Sequence, residues 1–244
     1  MEPMIKIENL TKKFKNNTIF SDINAEVHKG EVISLLGPSG AGKSTFLRCI
    51  NMLGEPTSGK ILLDGKDLVS SSEKELIQLR THIGMVFQSF NLFENKTVID
   101  NITLAPIKVK GISKEDAEAK AHELLKTVGL DDKANVYPDS LSGGQAQRIA
   151  IVRALAMDPE VILFDEPTSA LDPEKVGEVL SVMQDLAKKD MTMIIVTHEM
   201  EFAKNVSDEI WFMDEGKIQE KQAPQDFFSN PKTPNAQRFL SKMI

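Results

Sequence analysis

A run of apolar residues, Val32-Ile33-Ser34-Leu35-Leu36, leads directly into Gly37-Pro38-Ser39-Gly40-Ala41-Gly42-Lys43-Ser44-Thr45, and behind it Phe46, Leu47, Ile50 and Leu53 recur at helical spacing. No other feature constrains the fold as strongly. The pattern G-x-x-x-x-G-K-[ST] between a buried strand and a helix is a phosphate-binding loop. Glycines at 37, 40 and 42 let the backbone bring N–H groups close to phosphate oxygens. The start of the following helix adds unpaired donors and the positive end of its dipole. Lys43 supplies a charge for the outer phosphates, and the Ser44 hydroxyl can ligate Mg²⁺.

Composition narrows the partners. The chain has 244 residues, 41% hydrophobic and 27% charged, which suits one large α/β domain or a domain with an inserted lobe. A formal net charge of −7 with no basic block argues against nucleic acid as a partner. Cys49 is the only cysteine, so no internal disulfide can form, and packing is its expected role. The longest stretch free of Asp, Glu, Lys and Arg is Thr81 to Phe93, 13 residues, below the ~18 a membrane helix needs. Met1 to Lys6 lacks the apolar core of a signal peptide, so a cytosolic chain is expected unless a partner holds it at a membrane.

Along the chain, residues 4–35 read as antiparallel strands, with Ile5 and Ile7, then Ile23, Ala25 and Val27, alternating with polar residues. Lys60 to Gly65 reads as a strand and turn, Glu73–Arg80 as a short helix, and Ile83 to Phe87 as an apolar run. Residues 89–158 change character. Ser113 to Asp116 is a helix start, Ala117, Ala121, Leu124, Leu125 and Val128 follow at helical spacing, and Gly129 closes it; a second helix runs from about Ser142 to Met157. The core then resumes with Val161–Phe164 and Met193–Val196, runs typical of parallel strands covered on both faces. Between them Asp172-Pro173 opens a helix striped with Val176, Val179, Leu180, Met183 and Leu186. A hairpin turning at Asp214-Glu215-Gly216 and short helices from Pro224 complete the chain.

Chemistry gathers at the strand ends. Asp165 and Glu166 close the strand from Val161, at the carboxyl edge where α/β sheets bind ligands. An Asp there can hold Mg²⁺, and a second carboxylate can orient or deprotonate an attacking water. Gln88 and His198 also follow strands; Gln88 could reach Mg²⁺ or that water. Leu141-Ser142-Gly143-Gly144-Gln145 opens a helix and has two readings: a capping box between Ser142 and Gln145, or exposed N–H donors for a second phosphate.

Taken together, these elements and their order resemble the ATP-binding-cassette (ABC) ATPase family over nearly the whole chain. Gly37–Thr45 resembles its Walker A loop, Gln88 the Q-loop glutamine, Leu141–Arg148 the signature, and Val161–Pro167 the Walker B strand with Glu166 as catalytic base. Ser169-Ala170-Leu171-Asp172 resembles the D-loop and His198 the switch histidine. Phe87 to Phe93, Thr97-Val98, Asn101-Ile102, Leu155-Ala156-Met157 and Thr197 to Met200 are similar to the ATPase subunits of bacterial polar-amino-acid importers, such as those for glutamine and arginine. Two positions depart from the commonest pattern: Ala146 stands where a glutamine is usual, and Phe14, expected to stack on adenine, where many members carry Tyr.

The resemblance implies an α/β fold with a P-loop NTPase core (about 1–88 and 159–222), including an N-terminal antiparallel β subdomain. It also implies an inserted α-helical subdomain (about 89–158) and C-terminal short helices (about 223–244). ATP and Mg²⁺ would be the cofactors, with Ser44, Gln88 and Asp165 on the metal. Phe14, Gly37, Ser39, Gly40, Gly42, Lys43, Ser44 and Thr45 would bind ATP, and Ser142, Gly143, Gly144, Gln145 and Asp172 would reach it in trans across a head-to-tail homodimer. Glu166, His198 and Gln88 would carry catalysis. A membrane permease would dock in the groove near Gln88, a solute-binding protein would deliver the amino acid, and the chain would sit on the cytoplasmic face of a bacterial membrane. The same engine could drive an exporter or a lipoprotein or division-linked permease. A GTPase is disfavoured, because Asn95-Lys96-Thr97-Val98 lacks the final Asp of the guanine motif.

Overall fold

A computed structural model of the protein describes residues 2–243. Strands β1 (Ile5–Phe14) and β2 (Asn17–Val27) form an antiparallel pair. With β4 (Ser58–Leu63) and β5 (Lys66–Asp67) they make a sheet in the order β2-β1-β4-β5. The second sheet contains β3 (Val32–Leu36), β6 (Ile83–Val86), β7 (Val161–Asp165), β8 (Thr192–Val196), β9 (Glu209–Asp214) and β10 (Lys217–Gln222), in the order β10-β9-β3-β8-β7-β6. All its pairings are parallel except β9 with β10.

The reading of residues 4–35 as antiparallel strands therefore needs correction at its end. β3 belongs to the second sheet, where it pairs in parallel with β8 and β9. Its five residues are all buried, as are those of β7 and β8, because both faces of this sheet are covered. On β9 the two-residue period divides the strand: Trp211 and Met213 join the core between the sheets, while Ile210 and Phe212 face the C-terminal helices.

Helix α1 (Lys43–Ile50) sits between the sheets and buries Phe46, Leu47, Cys49 and Ile50. Phe46 meets Phe20 of β2 edge-on at 5.7 Å, a pairing that adds about 1 kcal/mol beyond area burial. Leu53 does not continue the stripe. The amides of Leu53 and Gly54 turn back onto the Arg48 carbonyl, ending the helix at Ile50 and leaving Leu53 exposed.

The far face of the parallel sheet is covered by α6 (Pro173–Ala187) through Val179, Met183 and Leu186, and by Phe202 of α7 (Met200–Val206). α2 (Glu73–Arg80) leads into β6 and carries a complete Ser72–Glu75 capping box. α8 (Pro224–Ser229) and α9 (Pro234–Met243) cover Phe212 with Phe227, Ala236 and Leu240.

The lobe between β6 and β7 has its own core. α3 (Val98–Lys110), α4 (Lys114–Thr127) and α5 (Gly143–Leu155) enclose Ile102, Ala121, Leu125, Ile149 and Val152. α3 was not expected from the sequence. Pro106 lies inside it, yet Thr97 caps its start by accepting from the Asp100 amide, and Gly111 ends it in the left-handed conformation.

Candidate active site

The parallel register aligns the strand ends. Leu35 of β3 pairs with Val196 of β8, Val196 with Asp165 of β7, and Phe164 of β7 with Val86 of β6. The segments that follow therefore leave the same sheet edge side by side: Gly37–Gly42, His198, Glu166 and Gln88.

The loop after β3 needs its first glycine. A Cβ on Gly37 would lie 2.0 Å from the Met213 carbonyl oxygen of β9, and φ there is 150°. Gly42 caps α1 at φ 97° with no side-chain acceptor for the helix amides. Among the described residues, no protein acceptor pairs with the amides of Gly40, Gly42, Lys43, Ser44 or Thr45. Five donors at one helix start form a cradle whose natural complement is an anion. Lys43 is 4% exposed and lies back along the loop, donating to the carbonyls of Gly37 at 2.7 Å and Pro38 at 2.9 Å. Burial pulls its ammonium below the usual lysine value, while the carboxylates of Glu166, Asp165 and Asp214 oppose that shift.

Asp165 is buried, and its carboxylate is held by Arg48 of α1, which donates from Nε at 3.2 Å and Nη2 at 2.9 Å. Both bonds fall on Oδ2, so Oδ1 keeps its lone pairs. Glu166 has φ 48°, a left-handed conformation that costs a non-glycine residue about 1–3 kcal/mol. Its amide donates to the Val196 carbonyl at 3.0 Å, and its own carbonyl accepts from the Ser169 hydroxyl at 3.0 Å. That backbone turn presents the Glu166 carboxylate to His198, whose Nε2 lies 3.3 Å from Oε1. Thr168, two residues on, donates to Glu199 at 3.1 Å and ties the two strand-end loops together.

The expected residues thus fall into groups. Lys43, Asp165, Glu166 and His198 converge, with Ser44 and Thr45 at the head of α1 and Gln88 exposed beyond β6. Phe14 ends β1, 55% exposed, with the Lys12 ammonium 4.6 Å from its ring centre. Ser39 and Gly40 lie exposed at the loop crest. Ser142, Gly143, Gly144 and Gln145 stand at the head of α5, a helix that packs on α3, α4, α6 and β6. Among the described residues, no hydrogen bond joins that segment to the phosphate loop. Asp172 starts α6, exposed and without a side-chain capping bond. The capping box between Ser142 and Gln145 does form, with Gln145 Oε1 accepting from the Ser142 amide at 2.9 Å.

Sequence reasoning overlooked Arg48, Thr168 and Glu199. Arg48 could have been noted as a cation five positions after Lys43 on the helix leaving the loop; the Thr168–Glu199 contact leaves no mark in the sequence. A donor set of hydroxyl, carboxylate and amide oxygens from Ser44, Asp165 and Gln88 has the hard-oxygen chemistry that suits Mg²⁺.

A sheet edge of this kind defines a P-loop nucleotide hydrolase. Residues 20–169 match the family described as ABC transporter. The arginine transport ATP-binding protein ArtM of Bacillus subtilis is 52% identical over 241 residues, covering 99% of this chain and 100% of that protein. The glutamine transport ATP-binding protein GlnQ of Geobacillus stearothermophilus is also 52% identical, over 99% of both chains. Among solved structures, the dimeric post-hydrolysis state of the ATP-binding cassette MJ0796 bound to ADP and Pi superposes with a TM-score of 0.82 at 36% identity, over 91% of this chain and 99% of that one. The chain belongs to the ABC transporter family and is one of its ATPases.

Proposed function

We propose that this chain is the ATP-hydrolysing subunit of a bacterial importer for a polar amino acid such as glutamine, and that it works as a head-to-tail homodimer on the cytoplasmic face of the membrane. The observation that carries the catalytic part is the convergence of Lys43, Asp165, Glu166 and His198 on one sheet edge. Full-length similarity to proteins named for arginine and glutamine transport supports the polar-amino-acid importer reading.

The roles follow from position. Phe14 offers an exposed ring to adenine, and the Lys12 cation on that ring leaves its other side for stacking. The unpaired amides of Gly40, Gly42, Lys43, Ser44 and Thr45, with Gly37 and Ser39 shaping the loop, hold the phosphates, and Lys43 exchanges its two loop carbonyls for phosphate oxygens. Mg²⁺, held by Ser44, Asp165 and Gln88, would neutralise charge on the phosphates. Glu166 polarises the attacking water and His198 contacts the γ-phosphate; the His198 contact keeps the Glu166 carboxylate turned toward the site. In the second copy, Ser142 accepts a bond from the Gln145 amide through Oγ, which leaves its O–H free to donate to phosphate. Gly143, Gly144, Gln145 and Asp172 of that copy complete the site.

The groove lined by Met85, Phe87, Phe93, Leu104 and Met157 is the docking place for a short helix of the permease. No helix among the described residues is long and apolar enough to cross a membrane, so the permease supplies the channel. A solute-binding protein delivers the amino acid, and nucleic acid has no part. Uptake of labelled amino acids, one at a time, in cells depleted of this chain tests the proposal. Loss of uptake of one polar amino acid, restored by the wild type but not by Lys43→Ala, is the expected result; normal entry of every amino acid would overturn the importer reading and favour an exporter or a lipoprotein or division-linked permease.

A further inference from the structure

Helix α5 grips the segment carrying Gln88 at three backbone carbonyls. Gln147 donates from Nε2 to the Phe87 carbonyl at 3.1 Å. Arg153, two turns on, donates from Nη1 to the Asn91 carbonyl at 2.6 Å and from Nη2 to the Phe90 carbonyl at 3.2 Å. The Gln147 side chain is fully buried, and its Oε1 has no partner. An apolar residue would fill that space without stranding a buried acceptor, so packing does not explain a glutamine there; the bond to Phe87 does.

The gripped segment is itself unusual. Phe90 and Asn91 have φ of 56° and 53°, two successive non-glycine residues in the left-handed region. Asn tolerates that conformation and Phe does not, so the turn must be held from outside; the two Arg153 bonds fall on its carbonyls. The Phe90 ring also lies against the head of the same helix, 3.5 Å from where a Cβ of Gly143 would stand. Phe87, Asn91 and Arg153 all line the apolar groove beneath the lobe.

We propose that Gln147 and Arg153 are positioning residues that clamp residues 87–91 to α5, so that Gln88 and the Ser142–Gln145 segment move as one body. Whatever fills the groove then acts on two nucleotide sites at once: its own copy's through Gln88 and the other copy's through the head of α5. The inference rests on the reading that both segments meet nucleotide.

The test uses the full chain with Gln147→Leu, Arg153→Met, Arg153→Lys and Gln88→Ala. In the nucleotide-free protein, hydrogen exchange at residues 87–93 should rise about tenfold in Gln147→Leu and Arg153→Met, with β7 and α4 amides unchanged. ATP hydrolysis in the same variants should show kcat lowered about tenfold with KM for ATP within about twofold, and Arg153→Lys should recover part of it. Unchanged exchange at 87–93 overturns the clamp. Faster exchange throughout α3 and α4 also overturns it, because the residues would then serve only the packing of the lobe. So does faster local exchange with wild-type kcat, since the clamp would position nothing. Gln88→Ala separates the two readings: wild-type kcat in that variant defeats the catalytic role of Gln88, while the exchange data still decide the clamp.

Discussion

Lys43 shows how a single residue is held ready. Its ammonium is buried and donates to two carbonyls of its own loop, where the proposed phosphate would compete for it. Lys43→Ala removes the only charge in the Gly37–Thr45 segment while leaving the amide cradle, so ATP affinity should fall about tenfold or more, measurable by calorimetry, with the fold unchanged by circular dichroism. Glu166→Gln keeps the size and the left-handed backbone but cannot take a proton, and should lower kcat by about a hundredfold or more with ATP binding retained. Wild-type turnover in that variant would remove Glu166 from the mechanism. At this scale legibility followed distance along the chain. The Gly37–Thr45 loop could be read because its donors, charge and glycines are consecutive. The Arg48–Asp165 ion pair spans 117 residues, and nothing local to either residue signals the other.

Helix boundaries were legible where caps are written in the sequence, as at Ser113 and Ser142. α3 carries Pro106 in its interior, a residue that disfavours helix, and packing on α4 and α5 overrides that local preference. Asn101 of α3 is the anchor of that region. Fully buried, it donates to the carbonyls of Phe93, Lys96 and Thr97 and accepts from the Phe93 amide at 2.7 Å. Asn101→Ala should destabilise the protein by about 2 kcal/mol, seen as a lower urea midpoint, because the loop's polar groups lose their buried partner. α9 depends on a carboxylate in the same way. Burial pushes the Glu220 carboxyl up, but bonds from Thr233, the Lys232 amide and Gln222 outweigh it and hold the group below the ordinary 4.5. A folded value below the unfolded one contributes stability that is complete above about pH 4.5 and is lost as pH falls through the folded value. Glu220→Gln should therefore melt below wild type at neutral pH, with the gap closing in acid; a constant gap would contradict the assignment.

Across the whole molecule, the two sets of expected ATP contacts are not joined within one chain. The phosphate cradle and its carboxylates line the parallel-sheet edge, while Ser142 to Gln145 head a helix of the lobe whose side-chain bonds run to its own turn, to α6 and to residues 87–91. The α/β order and the inserted lobe were legible in the change from apolar strand runs to helical spacing. The pairing of β3 with β8 and β9 was not, since parallel partners are set by helices packed on both faces rather than by the strand's own residues. If the site is divided between copies, as proposed, assembly is the decisive observable. The measurement is sedimentation of Glu166→Gln with Mg-ATP, with and without Ser142→Arg in the same chain. The expected result is a species of twice the 27.1 kDa chain mass that forms only with ATP and is lost when Ser142 is replaced. A monomer at every ATP concentration, or a dimer indifferent to Ser142, would contradict it.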